Sequence, residues 1–271
     1  MIEINKIYNE SNCDTMSRMP DNFIDLTVTS PPYDNLRDYE GYRFDFERVA
    51  QELYRVTKQG GIVVWVVNDA TINGSETLTS FKQAIYFREN CGFNLHDTMI
   101  YSKNGFANPS NNRYHQVFEY MFVFSKGKPT TFNPIKDKPN KWLPWGKNTK
   151  RQVDGSLKVE NRNTDYINND GMRYNIWKYK VGGEGMCTND KIAHEHPAIF
   201  PEALAKDHIL SWSNEREIIY DPFMGSGTVA KMCILTNRNY VGSEISQKYC
   251  EIAEKRILPY KQQIDIFYNA S

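Results

Sequence analysis

Apolar positions along the chain fall into two alternating periods. Ile24–Thr29 (I-D-L-T-V-T) is a short β-branched run, and Ile62–Val67 is apolar throughout its six residues. Both patterns predict strands buried on each face. Ile2–Tyr8, Leu95–Tyr101, Val117–Phe124, Ile218–Tyr220 and Tyr240–Gly242 add further stretches of strand character. Between the strands the period lengthens. Phe46, Val49, Ala50, Leu53 and Val56 recur at helical spacing within Phe44–Val56, an element that Gly60-Gly61 is expected to end. Thr79–Cys91, stopped by Gly92, is read in the same way, as are Pro201–Trp212, Thr228–Thr236 and Gln247–Ile257, the last closing before Pro259. Asp14–Met19 predicts a helical turn or two before Pro20. Strands alternating with helices imply an α/β fold, a mixed but mainly parallel sheet covered by helices on both faces.

Composition narrows the class. The chain has 271 residues with 33 basic and 33 acidic side chains, and Gly 16 and Pro 12 are too few for a collagenous or low-complexity chain. No apolar run approaches the roughly 20 residues of a membrane-spanning helix, so no membrane partner is expected. The N-terminal MIEINKIYNES lacks the apolar stretch of a secretion signal. Five scattered cysteines without a C-x-x-C pair point to a reducing, cytoplasmic setting. Cys187, His194 and His196 fit no zinc spacing, and no metal is expected.

The zero net charge conceals an asymmetry. Lys126–Lys180 holds 13 basic and 5 acidic residues, a surplus of 8 that the remainder of the chain cancels. Trp142, Trp145, Tyr174, Trp177 and Tyr179 are interleaved with those charges. Such a stretch suits a phosphate backbone, because Lys and Arg displace condensed counterions; a solvated, loop-rich insertion with packed aromatics would read the same way.

Two strand ends carry candidate chemistry. Tyr220-Asp221-Pro222-Phe223-Met224-Gly225-Ser226-Gly227-Thr228 runs from a strand through an acid and a Gly-x-Gly turn into a helix. Glycine permits close backbone approach, and a helix start offers free N–H groups. Glu244, 17 residues beyond Gly227, stands near the usual spacing for a carboxylate that accepts from ribose hydroxyls. Together they predict a site for a nucleoside-bearing cofactor; Ala230, where a dinucleotide fingerprint has glycine or alanine, leaves NAD open on this pattern alone. The other strand end is Thr29-Ser30-Pro31-Pro32-Tyr33. Consecutive prolines cannot continue a central strand, so the chain turns out at the sheet edge where α/β proteins bind ligands.

This second motif resembles the S-P-P-Y catalytic tetrapeptide of DNA amino-methyltransferases, and Asp221–Thr228 is similar to the same family's cofactor loop. Arg55 with Gly60-Gly61, Glu119–Gly127, His196-Pro197 with Phe200-Pro201, Gly242-x-Glu244, Tyr249, Ala253 and Arg256 match lesser elements in the family's order. The resemblance covers residues 2–125 and 191–257. With the catalytic motif first and the cofactor loop last, the order resembles the β group, in which the middle segment recognises the target. It implies a Rossmann-like methyltransferase fold in two halves, 1–125 catalytic and 191–271 cofactor-binding, around a loop-rich target-recognition region at 126–190.

The resemblance further implies S-adenosyl-L-methionine as cofactor and double-stranded DNA as substrate. Ser30, Pro31, Pro32 and Tyr33 would receive a flipped base, while Asp221, Pro222, Phe223, Gly225, Gly227, Thr228 and Glu244 would hold the cofactor. Serine at the first motif position leans towards N4 of cytosine, with N6 of adenine as the alternative. Asn35, Arg37, Asp38 and Tyr39 form a polar loop that either closes over the base or is plain surface. Arg113 and His115 are either plain surface residues or phosphate contacts, and Asp25 is either a solvated strand residue or one that shapes the catalytic strand end. A homodimer and a companion restriction endonuclease are compatible with the resemblance. A catalytically silent DNA-binding relative and an NAD-dependent dehydrogenase are the rival classes.

Overall fold

The computed structural model describes residues 2–32, 44–106, 109–140, 147–161, 170–181 and 187–269. Tyr33 and residues 34–43 lie outside them, as do Trp142 and Trp145. The chain divides into two compact units, Pro134–Tyr174 and the remainder.

The larger unit is built on an eight-stranded sheet. Its strands are β1 (Lys6–Tyr8), β2 (Ile24–Thr29), β3 (Thr57–Val67), β4 (Asn94–Lys103), β5 (Phe118–Ser125), β6 (Ile176–Tyr179), β7 (Ile218–Asp221) and β8 (Asn239–Ser243). Their order is β1-β8-β7-β2-β3-β5-β4-β6. The first five in that order run parallel; β5 is antiparallel to β3 and β4, and β6 is parallel to β4. The mainly parallel mixed sheet expected from the alternating pattern is present.

Helices α1 (Asn12–Ser17), α2 (Phe46–Val56), α3 (Thr79–Tyr86), α4 (Glu202–Trp212), α5 (Thr228–Leu235) and α6 (Gln247–Asn269) complete the unit. Alternation along β3 divides the core between them. Val63, Trp65 and Val67 pack with Val49, Ala50, Leu53 and Val56 of α2, and Trp65 Nε1 donates to Gln83 Oε1 of α3 at 2.8 Å. Val66 faces the other way beside its β5 neighbour Met121, whose sulfur lies 3.2 Å from His208 Nε2 of α4. Helices therefore cover both faces. No helix among the described residues is long and apolar enough to cross a membrane.

Three elements depart from the expectation. Gly60-Gly61 does not end α2, which stops at Val56; β3 starts at once, and the glycines lie inside it, opposite a register shift between Ile24 and Leu26 of β2. Gly60 has φ +81°, and a Cβ there would come within 2.3 Å of Thr130 Cγ2. Helix α6 does not close before Pro259 but continues to Asn269. A proline there frees the carbonyl four residues back, and both Lys255 and Pro259 are exposed, where water can replace the lost bond. Residues 176–179, placed by sequence in the loop-rich insertion, form an edge strand of the main sheet. Trp177 is accordingly buried against His208, with ring centroids 4.5 Å apart, and Tyr179 Oη donates to Asp207 Oδ2 at 2.6 Å. Both aromatics are packing residues.

The smaller unit contains two antiparallel pairs, Lys147–Arg151 with Leu157–Asn161 and Lys136–Pro139 with Asp170–Met172. Lys136, Lys150, Arg151 and Lys158 are exposed. Lys138 Nζ sits 4.0 Å from the centroid of the exposed Tyr174 ring, and Arg173 pairs with Asp137.

Candidate active site

Parallel strands bring their carboxyl ends to one sheet edge. There β2 delivers Ser30-Pro31-Pro32, β7 delivers Asp221 and the turn to Gly227, and β8 delivers Glu244. The register that pairs Tyr220 with Thr27 and Asp221 with Gly242 sets these ends side by side. They line one cavity of about 1210 Å³, larger than one small ligand requires. Ser30, Pro31, Pro32, Asp221, Pro222, Phe223, Gly225, Thr228 and Glu244 all border it.

The ends of β2 and β7 are joined by one short bond. Thr29 Oγ1, fully buried, donates to Asp221 Oδ1 at 2.6 Å. The Phe223 N–H donates to the same oxygen at 3.0 Å. Burial pushes the Asp221 carboxyl up to about 7; the Thr29 and Phe223 bonds oppose that rise, and the nearby Glu244 charge adds to it. A buried carboxylate with only neutral donors favours a cation in front of it.

Glu244 is fixed from two sides. Its Oε2 accepts from the Gly225 N–H at 2.8 Å and its Oε1 from the Ser246 N–H at 2.9 Å. The turn itself closes by Met224 N–H to Ser243 O and Gly227 N–H to Met224 O, each 2.9 Å. Gly225 (φ +52°) borders the cavity, with space for a Cβ limited by His196 Nε2 at 3.1 Å. Gly227 does not border it. Its φ of +79° and the approach of Ala253, whose Cβ would lie 2.9 Å from an added Cβ, are what require glycine there. Phe223 serves core and cavity together, with its ring edge-on to Phe44 at 5.1 Å.

Behind the turn lies a buried ionic cluster that sequence reading did not assemble. Arg256 of α6 donates to Ser226 O, Ser226 Oγ and Thr228 Oγ1, so the Thr228 hydroxyl is held from behind. The same guanidinium pairs with Asp190 and Glu202, as does Lys231. Burial disfavours the Asp190 charge, but hydrogen bonds from Arg256, Lys231 and Tyr260 outweigh it and hold the carboxyl at about 2. Arg256 had a motif match but no role in sequence. Its partners lie between 28 and 68 residues away, beyond any local pattern.

Other singled-out residues separate from this edge. Asp25 stands at the amino end of β2, where it accepts from Lys58 Nζ (2.7 Å) and the Ile218 N–H (2.9 Å); it does not shape the catalytic strand end. Arg113 borders the cavity and His115 does not. Arg113 donates to Thr71 Oγ1 and Gly74 O, holding a small hairpin turn, and His115 stacks on Phe106 at 3.8 Å. Asn12 was missed: it borders the cavity and donates from Nδ2 to Pro222 O at 3.3 Å. Tyr33, Asn35, Arg37, Asp38 and Tyr39 fall outside the described residues.

A family model described as DNA methylase, of the N6/N4 type, matches residues 24–255. The chain is 60% identical over 240 residues to the orphan methyltransferase M.BamHII of Bacillus amyloliquefaciens, spanning 88% of this chain and 89% of that one. It is 26% identical over 263 residues to the type II methyltransferase M.BglII of Bacillus subtilis, covering 92% and 68% respectively. Among solved structures, the cytosine-N4-specific PvuII DNA methyltransferase superposes with a TM-score of 0.66 at 15% identity, covering 96% of this chain and 92% of that one. The M1.HpyAVI–SAM complex superposes with a TM-score of 0.60 at 20% identity, covering 93% and 98%. These structures share the Rossmann-like fold. With Ser30-Pro31-Pro32 at the end of β2 and the Asp221–Gly227 turn after β7, the chain belongs to the DNA amino-methyltransferases, in their β group.

Proposed function

We propose that the protein transfers a methyl group from S-adenosylmethionine to N4 of a cytosine flipped out of double-stranded DNA. The observation that carries this reading is one cavity bordered by Ser30-Pro31-Pro32 and by the Asp221–Glu244 loop pair, large enough for both reactants. The donor set fits the cofactor: Asp221 is a buried carboxylate awaiting a cation, and Glu244 is a fixed acceptor for ribose hydroxyls. S-adenosylmethionine, when bound, supplies an electrophilic methyl on a sulfonium sulfur.

The chain's own residues do the rest. An exocyclic amine is a poor nucleophile because its lone pair is delocalised into the ring. The Ser30 hydroxyl and the Pro31 carbonyl accept from its two N–H groups and favour the pyramidal nitrogen of the transition state. The prolines fix that turn, and Tyr33 stacks on the base. An amine inside a duplex is out of reach, so the base leaves the stack. The methylated amine, now acidic, loses a proton to water. The serine at the first motif position carries the lean towards cytosine; its hydroxyl can donate to N3 of cytosine or to the equivalent N1 of adenine. The exposed Lys136, Lys150, Arg151 and Lys158 of the 134–174 unit contact the DNA backbone in this reading. All five cysteines are free thiols, in keeping with a cytoplasmic enzyme. The relative at 60% identity is named an orphan methyltransferase, which favours action without a companion nuclease; a homodimer stays part of the reading as the resemblance gave it.

The test is transfer of radiolabelled methyl from S-adenosylmethionine to unmethylated DNA. Saturable labelling, inhibited by S-adenosylhomocysteine and indifferent to NAD, is expected. Cofactor binding without labelling of any DNA would favour a silent DNA-binding relative.

A further inference from the structure

We propose that Thr29 is a positioning residue for methyl transfer: its buried hydroxyl orients the Asp221 carboxylate to take the ammonium end of the methyl donor. The inference rests on the reading of Asp221 given above. Thr29 lies one residue before Ser30, on the strand that presents the methyl acceptor, while Asp221 ends the neighbouring strand. Their 2.6 Å bond is fully buried and crosses from one side of the reaction to the other. Two donors, Thr29 Oγ1 and the Phe223 N–H, converge on Oδ1. Oδ2 carries no hydrogen bond among the described residues and is the oxygen left for a ligand in the cavity that Asp221 borders.

The groups packed around Asp221 give it no cation. Glu244 beyond β8 repels its charge. Cys233 on α5 and Tyr220 on β7 are held neutral by burial, which raises both. Thr29 is therefore one of two groups that favour the ionised carboxylate before a ligand arrives. A packing role would require only the shape of threonine, which valine supplies; an orienting role requires the hydroxyl, which serine keeps.

The experiment is calorimetric titration of wild-type, Thr29→Val and Thr29→Ser protein with S-adenosylmethionine and, separately, S-adenosylhomocysteine across a pH series. The two ligands share the amino end and differ in sulfur charge. Thr29→Val is expected to weaken both by about tenfold near neutral pH, the scale of a lost hydrogen bond to a charged group. The acid limb of its affinity profile should move to higher pH, while the alkaline limb, set by the ligand's own amino group at about pH 8, stays in place. Thr29→Ser should follow wild type. In an Asp221→Asn background, Thr29→Val should bring no further loss. An equal loss at every pH, or matching behaviour of the serine and valine variants, would overturn the role. Should the valine variant not fold, Thr29→Ser against wild type on the acid limb, with the Asp221→Asn profile as reference, decides: a serine limb displaced towards that reference overturns it. If wild-type protein binds neither ligand, the cofactor reading itself falls; if wild type binds and only the Thr29→Val limb fails to move, this inference alone falls.

Discussion

The two units hold their charges in opposite ways. Behind the cofactor loop, the buried Arg256 and Lys231 pair with the half-buried Asp190 and Glu202, and Arg256 also bonds Ser226 and Thr228. In the 134–174 unit, Lys136, Lys150, Arg151 and Lys158 lie in water on short antiparallel pairs. A small cationic nucleoside needs dipoles and charges fixed in a dry site before it arrives. A polyanion needs charges free to displace counterions. In the proposed function, the paired set would bear on stability and cofactor affinity together, and the exposed set on DNA affinity alone.

That contrast can be broken most severely at its chemical centre. Ser30→Ala should lower turnover by roughly 10²–10³-fold, the usual scale for one lost transition-state partner, with cofactor affinity unchanged; single-turnover methylation beside calorimetry reads both, and an equal loss in each would contradict the assignment. Arg256→Met leaves Asp190 and Glu202 with Lys231 as their one cationic partner among the described residues. Removing one partner of a buried pair costs about 3–5 kcal/mol, so urea unfolding should show a large loss, with cofactor affinity falling alongside; an unchanged midpoint would show that the cluster does not anchor the loop.

The pH dependence sharpens the same contrast. Asp221 titrates at about 7 in the folded protein, above its unfolded value of about 3.9, so the folded state binds its proton more tightly. Its contribution to stability is thus lost as pH rises from about 4 to about 7. Asp221→Asn should remove that slope and gain on the order of 1–3 kcal/mol above neutrality, while cofactor affinity falls but stays measurable. Asp190, held at about 2, works in the opposite sense: its contribution is present above about pH 4 and disappears as pH falls towards 2. Thermal unfolding across pH checks both slopes. The smallest effect belongs to the exposed set. The triple variant Lys150→Ala, Arg151→Ala, Lys158→Ala should flatten the salt dependence of DNA binding by about 0.9 per backbone contact removed, with unfolding and cofactor affinity unaltered. A fall in stability there would contradict the division of roles.

Legibility in the sequence followed range. Strands such as Ile62–Val67 and helices such as Phe46–Val56 announce themselves because their burial repeats within a few residues. The Ser30–Pro32 turn and the Asp221–Gly227 turn were equally visible, since proline and glycine act on their own backbone. Gly60-Gly61 misled because a glycine pair ends a helix or opens a bulged strand with the same residues, and only pairing across the sheet, such as Gly60 N–H to Lys126 O, distinguishes them. Pro259 misled because solvent on its side of α6 tolerates the missing bond. Ile176–Tyr179 was hidden inside a basic, aromatic window, and its strand character depends on β4 being next to it. Thr29 stood inside a quoted motif, yet its partner Asp221 is 192 residues away. Contacts of that reach are decided by topology, which fixes the site's supports.

The most direct test of the central claim is mass spectrometry of nucleosides from DNA incubated with the protein and S-adenosylmethionine. The account predicts N4-methylcytosine, lost in the Ser30→Ala variant. N6-methyladenine would keep the fold, the cofactor and the chemistry of the cavity but overturn the choice of base, and no methylated base on varied DNA would contradict the catalytic reading itself.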